Sequence, residues 1–405
     1  MYEAKPGDVG HVLLLYSGGL DTSAMILWIQ EKYDAEVSTL TVDLGQGKDL
    51  NEVKKRAIEL GAKKAIVIDA KEEFVQNFVK PSIMANGLYM GKYPMATALG
   101  RPLIAMKAVE VAEKIGADAI AHGCTGKGND QVRIEATILT LNSGMKIIAP
   151  VRQFKLSRKE EIEIMKKHGF KVPNVHKRYS VDENMWGISF QGSELQNSAN
   201  MASDQVFEDT KKFFPTFNKP EDAPDKPEIV EIEFKDGVPI ALNGEEMSLV
   251  SLIQEVNKIG AKHGVGIIDY VESYIFGHKG REFYIAPAPT IIINAHKDLE
   301  HLLLPKQLLA EKFAWDFKWA YLIYHGLWFH KLRETLQEAI EKANKGLDGK
   351  VKVKLYKGSA TSVARSSGKI TKYFYGDKLG EVGFDELASA GFIELHSMEM
   401  KIQMG

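Results

Sequence analysis

A short run of small and hydroxylated residues near the amino terminus has the composition of a phosphate-binding loop. It reads Tyr16-Ser17-Gly18-Gly19-Leu20-Asp21-Thr22-Ser23 and directly follows an apolar segment. The paired glycines allow positive φ angles and close approach of a ligand to the backbone. Successive amide N–H groups and hydroxyls at a helix start form an anion nest at the positive end of the helix dipole. The run matches neither the Lys-containing P-loop nor GxGxxG, so we predict a different pyrophosphate cradle rather than a simple strand-to-helix turn.

A second glycine-rich run also carries charged and amide side chains. It extends from His122 to Arg133 and reads HGCTGKGNDQVR. Its glycines let the backbone approach a ligand, and Lys127 and Arg133 supply positive charge. Asn129 and Asp130 have oxygens that accept hydrogen bonds from an amine. We therefore interpret this run as a second ligand-binding segment, the alternative being a glycine-rich turn with a solvated lysine.

Both runs belong to an alternating pattern of predicted strands and helices. The strands are continuous apolar segments, as expected for a sheet that is buried on both faces. They are predicted over 11–17, 36–44, 64–70, 117–124 and 145–151. Helices are predicted over 22–33, 50–60, 71–86, 102–115 (with Pro102 at its start), between the last two strands, and over 157–168. Strand followed by helix five times predicts an α/β fold with a doubly wound parallel sheet, whose ligands bind beyond the carboxyl ends of the strands.

The pattern changes after about residue 170. Four prolines between 214 and 227 indicate an extended connection, and alternation around Asp236-Gly237 is typical of a β-hairpin. The aromatic residues between Phe313 and Phe329 are interpreted as core or subunit interface. Further elements are predicted as a helix over 248–262, a long helical region over 290–345, and strands over 350–356 and 370–375. We predict three parts, namely a nucleotide-binding domain over 1–170, an α+β domain over 171–365, and a C-terminal arm over 366–405 that docks on a neighbouring subunit.

Composition and charge exclude several classes of protein. The 405 residues include 52 Lys and Arg against 54 Asp and Glu, and a net charge of −2 argues against a dedicated nucleic-acid binder. No apolar run reaches the ~18 residues that span a membrane, and residues 1–10 lack the apolar region of a secretory signal. The single cysteine, Cys124, forms neither an internal disulfide nor a zinc site by itself. We expect a cytoplasmic enzyme with no nucleic-acid or membrane partner, and we assign no residue as a metal ligand.

The two runs resemble the signatures of known ATP-dependent enzymes. The first resembles the loop of the N-type ATP pyrophosphatases, which cleave ATP between its α and β phosphates. The second closely resembles a signature of one family among them, the argininosuccinate synthases. Two later segments resemble further signatures of that family: SVDENMWGIS from Ser180 to Ser189, and Gly264-Val265-Gly266 followed by Val271-Glu272 and Tyr284. The resemblance extends from about residue 11 to 290.

The resemblance implies an ATP-dependent C–N ligase of arginine biosynthesis. Such an enzyme joins citrulline and aspartate to give argininosuccinate, AMP and pyrophosphate through a citrullyl-adenylate, with ATP and Mg²⁺ as cofactors. The second domain is then the synthetase domain, which binds citrulline and aspartate, and the C-terminal arm serves oligomerisation in a homotetramer. No His, Cys or Lys nucleophile is needed for this chemistry.

The resemblance also implies roles for individual residues. The ATP contacts are Tyr16, Ser17, Gly18, Gly19, Leu20, Asp21, Thr22, Ser23, Val42 and Gly123. The aspartate contacts are Thr125, Asn129 and Asp130. The citrulline contacts are Tyr93, Asn129, Arg133, Ser180, Ser189, Glu272 and Tyr284, with Thr97 as a further candidate. The catalytic candidates are Ser17, Asp21, Asp130 and Arg133. Asp130 would either orient the aspartate amine or accept its proton, and both options stay open at this stage.

Several positions depart from the family pattern. Ala98 stands where many relatives have serine, so one hydroxyl contact to citrulline is missing or is supplied by Thr97. Ile267 and Ile285 stand where Arg and Glu are usual. Cys124 raises the alternative of sulfur transfer, as in tRNA-thiolating pyrophosphatases, but a single cysteine favours a small packed residue. A nucleotide-sensing α/β module is the non-enzymatic alternative, and it does not explain the second run or the large second domain.

Overall fold

The computed structural model describes residues 2–47, 49–172, 178–368 and 385–404. The chain divides into two compact units, Met1–Arg365 and Ser366–Gly405. The first unit begins with a five-stranded sheet in the order β3-β2-β1-β4-β5, in which every pairing is parallel. Its strands are β1 His11–Leu15, β2 Glu36–Asp43, β3 Lys64–Asp69, β4 Ala119–Ala121 and β5 Lys146–Ile148. The predicted parallel α/β sheet is confirmed.

Helices cover both faces of this sheet. They are α1 Leu20–Tyr33, α2 Leu50–Glu59, α3 Lys71–Phe74, α4 Lys80–Met84, α5 Ala96–Ile115, α6 Asn129–Leu141, α7 Pro150–Phe154 and α8 Arg158–Lys167, with a π-helical segment Val75–Val79 joining α3 to α4. Alternate residues of β1 enter two separate cores, because successive side chains of a strand point to opposite faces. Leu13 and Leu15 pack with residues of α5, whereas Val12 and Leu14 pack with residues of α1 and α8. The doubly wound arrangement is therefore observed directly.

The start of helix α5 corrects a prediction. The helix was expected to begin at Pro102, but it begins at Ala96, directly after Met95 in a left-handed conformation with φ 60°. Pro102 lies inside the helix and removes one internal N–H donor there. The first turns are held in place by burial, since Ala98 and Leu99 are fully buried in the core. Packing outweighs the local preference of proline for a helix start.

The remainder of the first unit contains two antiparallel sheets and a group of helices. One sheet has the order β10-β9-β8-β13-β14, with β8 Glu228–Lys235, β9 Val238–Leu242, β10 Glu245–Glu246, β13 Gly349–Tyr356 and β14 Ser359–Ser366. The other has the order β11-β12-β7-β6, with β6 Ser180–Asn184, β7 Gly187–Gln191, β11 Ile267–Ser273 and β12 Lys279–Ile285. The helices are α9 Asp204–Thr210, α10 Leu249–Lys262, α11 Pro287–Leu303, α12 Lys306–Tyr324 and α13 Lys331–Asn344.

These elements match the predicted α+β character with one refinement. The hairpin at Asp236-Gly237 joins β8 to β9 and is confirmed. The long helical region predicted over 290–345 is three helices, because Pro305 precedes α12 and the chain turns at Gly326, whose φ is +73°. The strand predicted over 370–375 lies outside the described residues.

The four-stranded sheet has one polar and one apolar face, and the polar face positions substrate candidates. Tyr284 of β12 lies opposite Ser189 of β7, and Ser189 lies opposite Asp182 of β6. Because side chains alternate along a strand, one face carries these residues and the other carries an apolar cluster that includes Phe190 and Phe283. Helix α5 packs on β6 and β7, and the side-chain amide of Asn184 donates a hydrogen bond of 2.8 Å to the Ala96 carbonyl. The polar face is therefore turned toward helix α5 and the parallel sheet.

The second unit is described by helices α14 Ala388–His396 and α15 Met398–Met404. Both helices have no buried residue. Large apolar side chains are among the exposed ones, including Phe392, Ile393, Leu395 and Ile402. Among the described residues, no helix is long and apolar enough to cross a membrane.

A buried polar cluster connects α4 with α11 and α12. The Lys312 ammonium is 1% exposed and lies 2.7 Å from Glu300 Oε1 and 2.9 Å from Asp316 Oδ1. It also donates a hydrogen bond of 2.8 Å to the Met84 carbonyl. The side-chain amide of Asn86 donates to both carboxylates, at 2.7 and 2.8 Å. Removing the cation would leave two buried carboxylates without compensation.

Replacing Lys312 by methionine tests how strongly this cluster stabilises the fold. The substitution keeps the length of the side chain and removes its charge, so we expect a loss of about 3–5 kcal/mol in the free energy of unfolding. Lys318→Met, at an exposed position of the same helix, is the matched control and should change stability by less than about 0.5 kcal/mol. Denaturant unfolding followed by circular dichroism measures both. Equal losses in the two variants would contradict a stabilising role for the buried cluster.

Candidate active site

The first glycine-rich run forms an open nest at the start of α1. Gly18 has φ +75°, and Gly19 is the N-cap residue of α1. The Ser17 hydroxyl lies 3.2 Å from the Thr22 hydroxyl and accepts from the Gly19 amide at 3.4 Å. The Tyr16 hydroxyl lies 3.1 Å from the Ser23 hydroxyl and so holds the base of the loop. Amide groups and hydroxyls at a helix N-terminus present a site for an anion such as pyrophosphate.

The second run packs directly against this nest. A Cβ atom added to Gly123 would lie 3.2 Å from Met25 Cε and 3.6 Å from Thr22 Cγ2, both on α1. Only a glycine fits there without displacing its neighbours. Val42 is buried near the end of β2, and Leu20 is buried in the first turn of α1. The predicted ATP residues Tyr16–Ser23 and Gly123 are thus brought together, with Val42 on the adjacent strand.

Asp21 lies in the first turn of α1, where its side chain faces helix α8. Its carboxylate is more than half exposed and lies 3.6 Å from the Arg158 guanidinium of α8. Burial, together with the nearby Asp21 carboxylate, raises the pKa of Glu161 on α8 to about 8. Asp21 therefore belongs to the rim of the phosphate loop and faces α8.

Asp130 lies between two arginines at the start of α6. Its Oδ2 is 2.7 Å from Arg101 Nη2, and its Oδ1 is 2.8 Å from Arg133 Nη1. Arg101 also lies 2.9 Å from Asp182 of the four-stranded sheet. Burial opposes ionisation of Asp130, but the charges of Arg101 and Arg133 outweigh it and lower the pKa of Asp130. An ionised carboxylate with a lowered pKa is suited to orienting an amine and is a weak proton acceptor.

Asn129 and Arg133 contact the end of helix α12. The Asn129 side-chain amide donates to the Tyr324 hydroxyl at 2.8 Å, and its oxygen accepts from the Ile275 amide at 2.9 Å. Arg133 Nε donates to the Tyr324 carbonyl at 2.9 Å, and the guanidinium lies 4.7 Å from the centre of the Tyr324 ring. Tyr324 is fully buried in the core, as the interpretation of residues 313–329 predicted, and its hydroxyl in addition joins this polar group.

Glu272 is surrounded by three tyrosine hydroxyls. It is buried and accepts from Tyr324 at 2.5 Å, from Tyr270 at 2.6 Å and from Tyr284 at 3.0 Å. Burial raises the pKa of Glu272, although these hydrogen bonds oppose the shift. The Tyr284 ring stacks on Tyr93 with 4.0 Å between the ring centres. These contacts make a rigid aromatic wall beside the arginine pair.

The other predicted substrate residues lie at different depths. Ser189 is buried on the polar sheet face beside Tyr284, whereas Ser180 is exposed on the same face as Asp182. Thr97 is half-buried, and its amide donates to the Tyr93 hydroxyl at 3.0 Å. Thr125 is exposed in the turn that leads into α6. Ala98, the position of the missing serine, is fully buried in the core.

The sequence did not indicate four residues that the structure adds to this group: Arg101, Asp182, Tyr324 and Glu282. A signal for two of them was present. Arg101 follows Thr97 by four residues and therefore lies on the same side of α5. Asp182 follows Ser180 by two residues and shares its sheet face. Tyr324 is remote in sequence from Asn129, Arg133 and Glu272, and only the fold reveals that it contacts them.

Fold and site together define a class of protein. The first strand of the parallel sheet leads into a glycine-rich loop at a helix N-terminus, and a cluster of charged side chains lies at the end of the following loop. This arrangement is the α/β fold of the N-type ATP pyrophosphatases. Family comparisons agree: residues 11–171 match the "Arginosuccinate synthase N-terminal HUP domain", and residues 179–403 match the "Arginosuccinate synthase C-terminal domain". The chain belongs to the argininosuccinate synthase family, whose members are ligases that join citrulline and aspartate in arginine biosynthesis.

Curated relatives are similar over nearly the whole chain. The argininosuccinate synthase of Oceanobacillus iheyensis is 45% identical over 96% of this chain and 93% of its own length. That of Pyrococcus furiosus is 47% identical over 96% of this chain and 93% of its own length. Among solved structures, the U34-tRNA thiolase NcsA from Methanococcus maripaludis covers 51% of this chain and 67% of its own, with 14% identity and a TM-score of 0.28. A likeness that low carries no conclusion.

The ion pairs of Arg101 with Asp130 and with Asp182 should contribute unequally to the stability of the fold. The side chains of Arg101 and Asp130 are 19% and 21% exposed, whereas that of Asp182 is 47% exposed. We expect about 1–3 kcal/mol of coupling between Arg101 and Asp130 and less than about 1 kcal/mol between Arg101 and Asp182. Double-mutant cycles of unfolding free energy with Arg101→Met, Asp130→Asn and Asp182→Asn measure both values. Equal couplings would show that burial does not strengthen the Asp130 pair.

Proposed function

We propose that the protein activates citrulline with ATP and then joins it to aspartate through a citrullyl-adenylate. The observation that carries this proposal is the continuity of the loop from Gly123 to Asp130. One end of the loop packs on the phosphate nest, and the other end enters the group formed by Arg101, Asp130 and Arg133. An activated citrulline and the phosphates that activated it would then lie on the same short loop.

In the first half-reaction the ureido oxygen of citrulline attacks the α-phosphorus of ATP. A bond forms between that oxygen and phosphorus while the bond to the β-phosphate oxygen breaks, and pyrophosphate leaves. The nest from Tyr16 to Ser23 stabilises the negative charge that develops on the leaving group, with Ser17 as a hydroxyl donor to it. Gly123 and Val42 complete the nucleotide contacts.

Mg²⁺ fits this site as a companion of the nucleotide. It prefers one or two carboxylates together with phosphate oxygens; the exposed Asp21 carboxylate, which lies 3.6 Å from the Arg158 guanidinium, would have to turn from Arg158 toward the phosphates to serve as one. Among the described residues no cluster of three or more metal-binding side chains occurs, which agrees with an ion held mostly by phosphates. When bound, the ion would neutralise charge on the phosphates.

Citrulline lies beside the stacked tyrosine rings and Arg133. Its contacts are Tyr93, Asn129, Arg133, Ser180, Ser189, Glu272 and Tyr284, with the Thr97 hydroxyl as a replacement for the serine that Ala98 lacks. Among the described residues, the buried Arg133 Nη2 has no hydrogen-bond partner. A buried donor without an acceptor is costly, and an oxygen of citrulline would satisfy it.

In the second half-reaction the neutral amine of aspartate attacks the activated carbon, and AMP leaves. Thr125, Asn129 and Asp130 hold aspartate, and Arg133 stays beside the reacting group. Asp130 remains ionised between its two arginines, so it accepts a hydrogen bond from the amine and aims it. Correct aim contributes much of the rate in such a step.

The organisation of the whole molecule follows from the same proposal. Residues 1–170 form the nucleotide-binding domain, residues 171–365 the synthetase domain, and residues 366–405 an oligomerisation arm. The exposed apolar side chains of α14 and α15 support an arm that docks on other subunits of a homotetramer. We place the enzyme in the cytoplasm, where it acts on small molecules.

Isotope transfer tests the proposed intermediate. Citrulline labelled with ¹⁸O in its ureido group should deliver the label to AMP, because the ureido oxygen remains bonded to the α-phosphorus when AMP departs. Mass spectrometry of AMP, pyrophosphate and phosphate measures this. Label in pyrophosphate or phosphate would exclude the adenylate, and no turnover at all would favour a nucleotide-sensing protein.

Two alanine substitutions test the phosphate nest. Gly18 and Gly116 both have positive φ, of +75° and +66°, but only Gly18 lies in the nest. Alanine should cost about 1 kcal/mol of backbone strain at both positions, and at Gly18 its Cβ atom would also lie 3.1 Å from Val53 Cγ2, so thermal unfolding verifies that both variants are folded. Gly18→Ala should also raise the KM for ATP roughly tenfold to a hundredfold, because the amides lose their alignment. Gly116→Ala should leave that KM within about twofold. Steady-state pyrophosphate release measures the KM for ATP. Equal KM values in the two variants would contradict ATP binding at this nest.

A further inference from the structure

Glu282 is a buried carboxyl group to which the reaction described above gives no role. Its side chain is 1% exposed. One oxygen, Oε1, accepts hydrogen bonds from the Gln191 side-chain amide at 2.5 Å and from the Tyr274 hydroxyl. The other oxygen, Oε2, is buried and has no hydrogen-bond partner among the described residues. A buried oxygen without a donor indicates that something outside the protein supplies one.

The strand register places Glu282 among the citrulline residues. Glu282 lies opposite Tyr270 on β11, and Tyr284 follows two residues later on the same strand. Residues two apart share a sheet face, so Glu282 lies on the polar face with Tyr284 and, across the neighbouring strand, Ser189. The carboxyl group is therefore at the proposed substrate position and not in the apolar core behind the sheet.

The charged groups that act most strongly on Glu282 are negative. Burial, followed by the nearby carboxylates of Glu272 and Asp130, raises the pKa of Glu282 to about 8. Asp130 is already paired with two arginines, and Glu272 already accepts from three tyrosine hydroxyls. Of these three carboxyl groups, Glu282 is the one with an oxygen that has no hydrogen-bond partner among the described residues.

A tyrosine keeps the unpaired oxygen in place. Gly280 has no side chain, and a Cβ atom there would lie 2.3 Å from the Tyr274 ring. Tyr274 can therefore lie over Gly280 and direct its hydroxyl to Glu282 Oε1. With Tyr274 and Gln191 both on Oε1, the carboxyl group is held in one orientation with Oε2 available.

We propose that Glu282 Oε2 binds the α-ammonium group of citrulline, which makes Glu282 an additional substrate-binding and specificity-determining residue. This inference rests on the proposed function for the identity of the substrate. The aspartate amine is not the partner, because it must be neutral to react and a carboxylate would hold it protonated. The α-ammonium group of citrulline takes no part in the chemistry and remains charged throughout.

A substrate that lacks the α-amino group tests this assignment. Binding of citrulline and of 5-ureidopentanoate, which differs only by that group, is measured by titration calorimetry for the wild type and Glu282→Gln. In Glu282→Gln the dissociation constant for citrulline should rise about tenfold to a hundredfold, while that for 5-ureidopentanoate changes by less than about threefold. Glu246→Gln, at an exposed position of β10, is the control and should change neither.

A further variant separates the contact from a general structural effect. Tyr274→Phe leaves Oε2 untouched, so it should change the citrulline constant much less than Glu282→Gln does. Thermal unfolding verifies that all variants are folded. Equal weakening of both ligands in Glu282→Gln, or no weakening of either, would overturn the assignment. Pyrophosphate release by the wild type is measured in parallel, so that a failure of the proposed reaction is recognised separately from a failure of the binding assignment.

Discussion

Asp130 holds two arginines from different helices in one place, and the geometry around it depends on this pairing. Arg101 comes from α5 and Arg133 from α6, and each reaches a different oxygen of the carboxylate. Buried like charges repel unless a counter-charge separates them, so the two guanidinium groups can lie together only because Asp130 is ionised. Arg101 extends to Asp182, and Arg133 extends to the Tyr324 carbonyl. The part of the chain that forms the parallel sheet and the part that forms the antiparallel sheets and α12 thereby meet through one charged group.

This arrangement explains why the site combines strong charges with tyrosines. Glu272 is buried without a cation in hydrogen-bond contact, and tyrosine hydroxyls satisfy its oxygens. Tyrosine buries a large apolar ring and still offers a donor at its tip. The rings of Tyr93 and Tyr284 stack, as do those of Tyr89 and Tyr324. The tyrosines therefore surround the charged groups with buried ring surface, and a lower local dielectric constant strengthens electrostatic contacts there.

The sequence predicted those parts of the molecule whose properties are local. The nest at Gly18 and Gly19 depends on consecutive residues, and the parallel sheet depends on a repeated pattern of continuous apolar strands. The parallel sheet is confirmed, and Gly18 has the positive φ that a nest requires, whereas pyrophosphate binding there stays a prediction. The start of α5 was wrong because tertiary packing outweighed the signal of Pro102. Tyr324 was missed because its contacts with Asn129 and Glu272 join segments far apart in the chain. The roles assigned to individual site residues remain predictions, since proximity alone does not show what they bind.

The two-faced sheet formed by β11, β12, β7 and β6 has a consequence for how such a pocket can evolve. Alternate residues of β12 serve different purposes, because Glu282 and Tyr284 face the polar side while Phe283 and Ile285 pack in the apolar cluster. Inserting or deleting a single residue in β12 would exchange the two sets. It would bury a carboxyl group in the apolar cluster and present a phenylalanine to the substrate. The pocket can therefore change its ligand preference by substitution, but not by a change in the length of this strand.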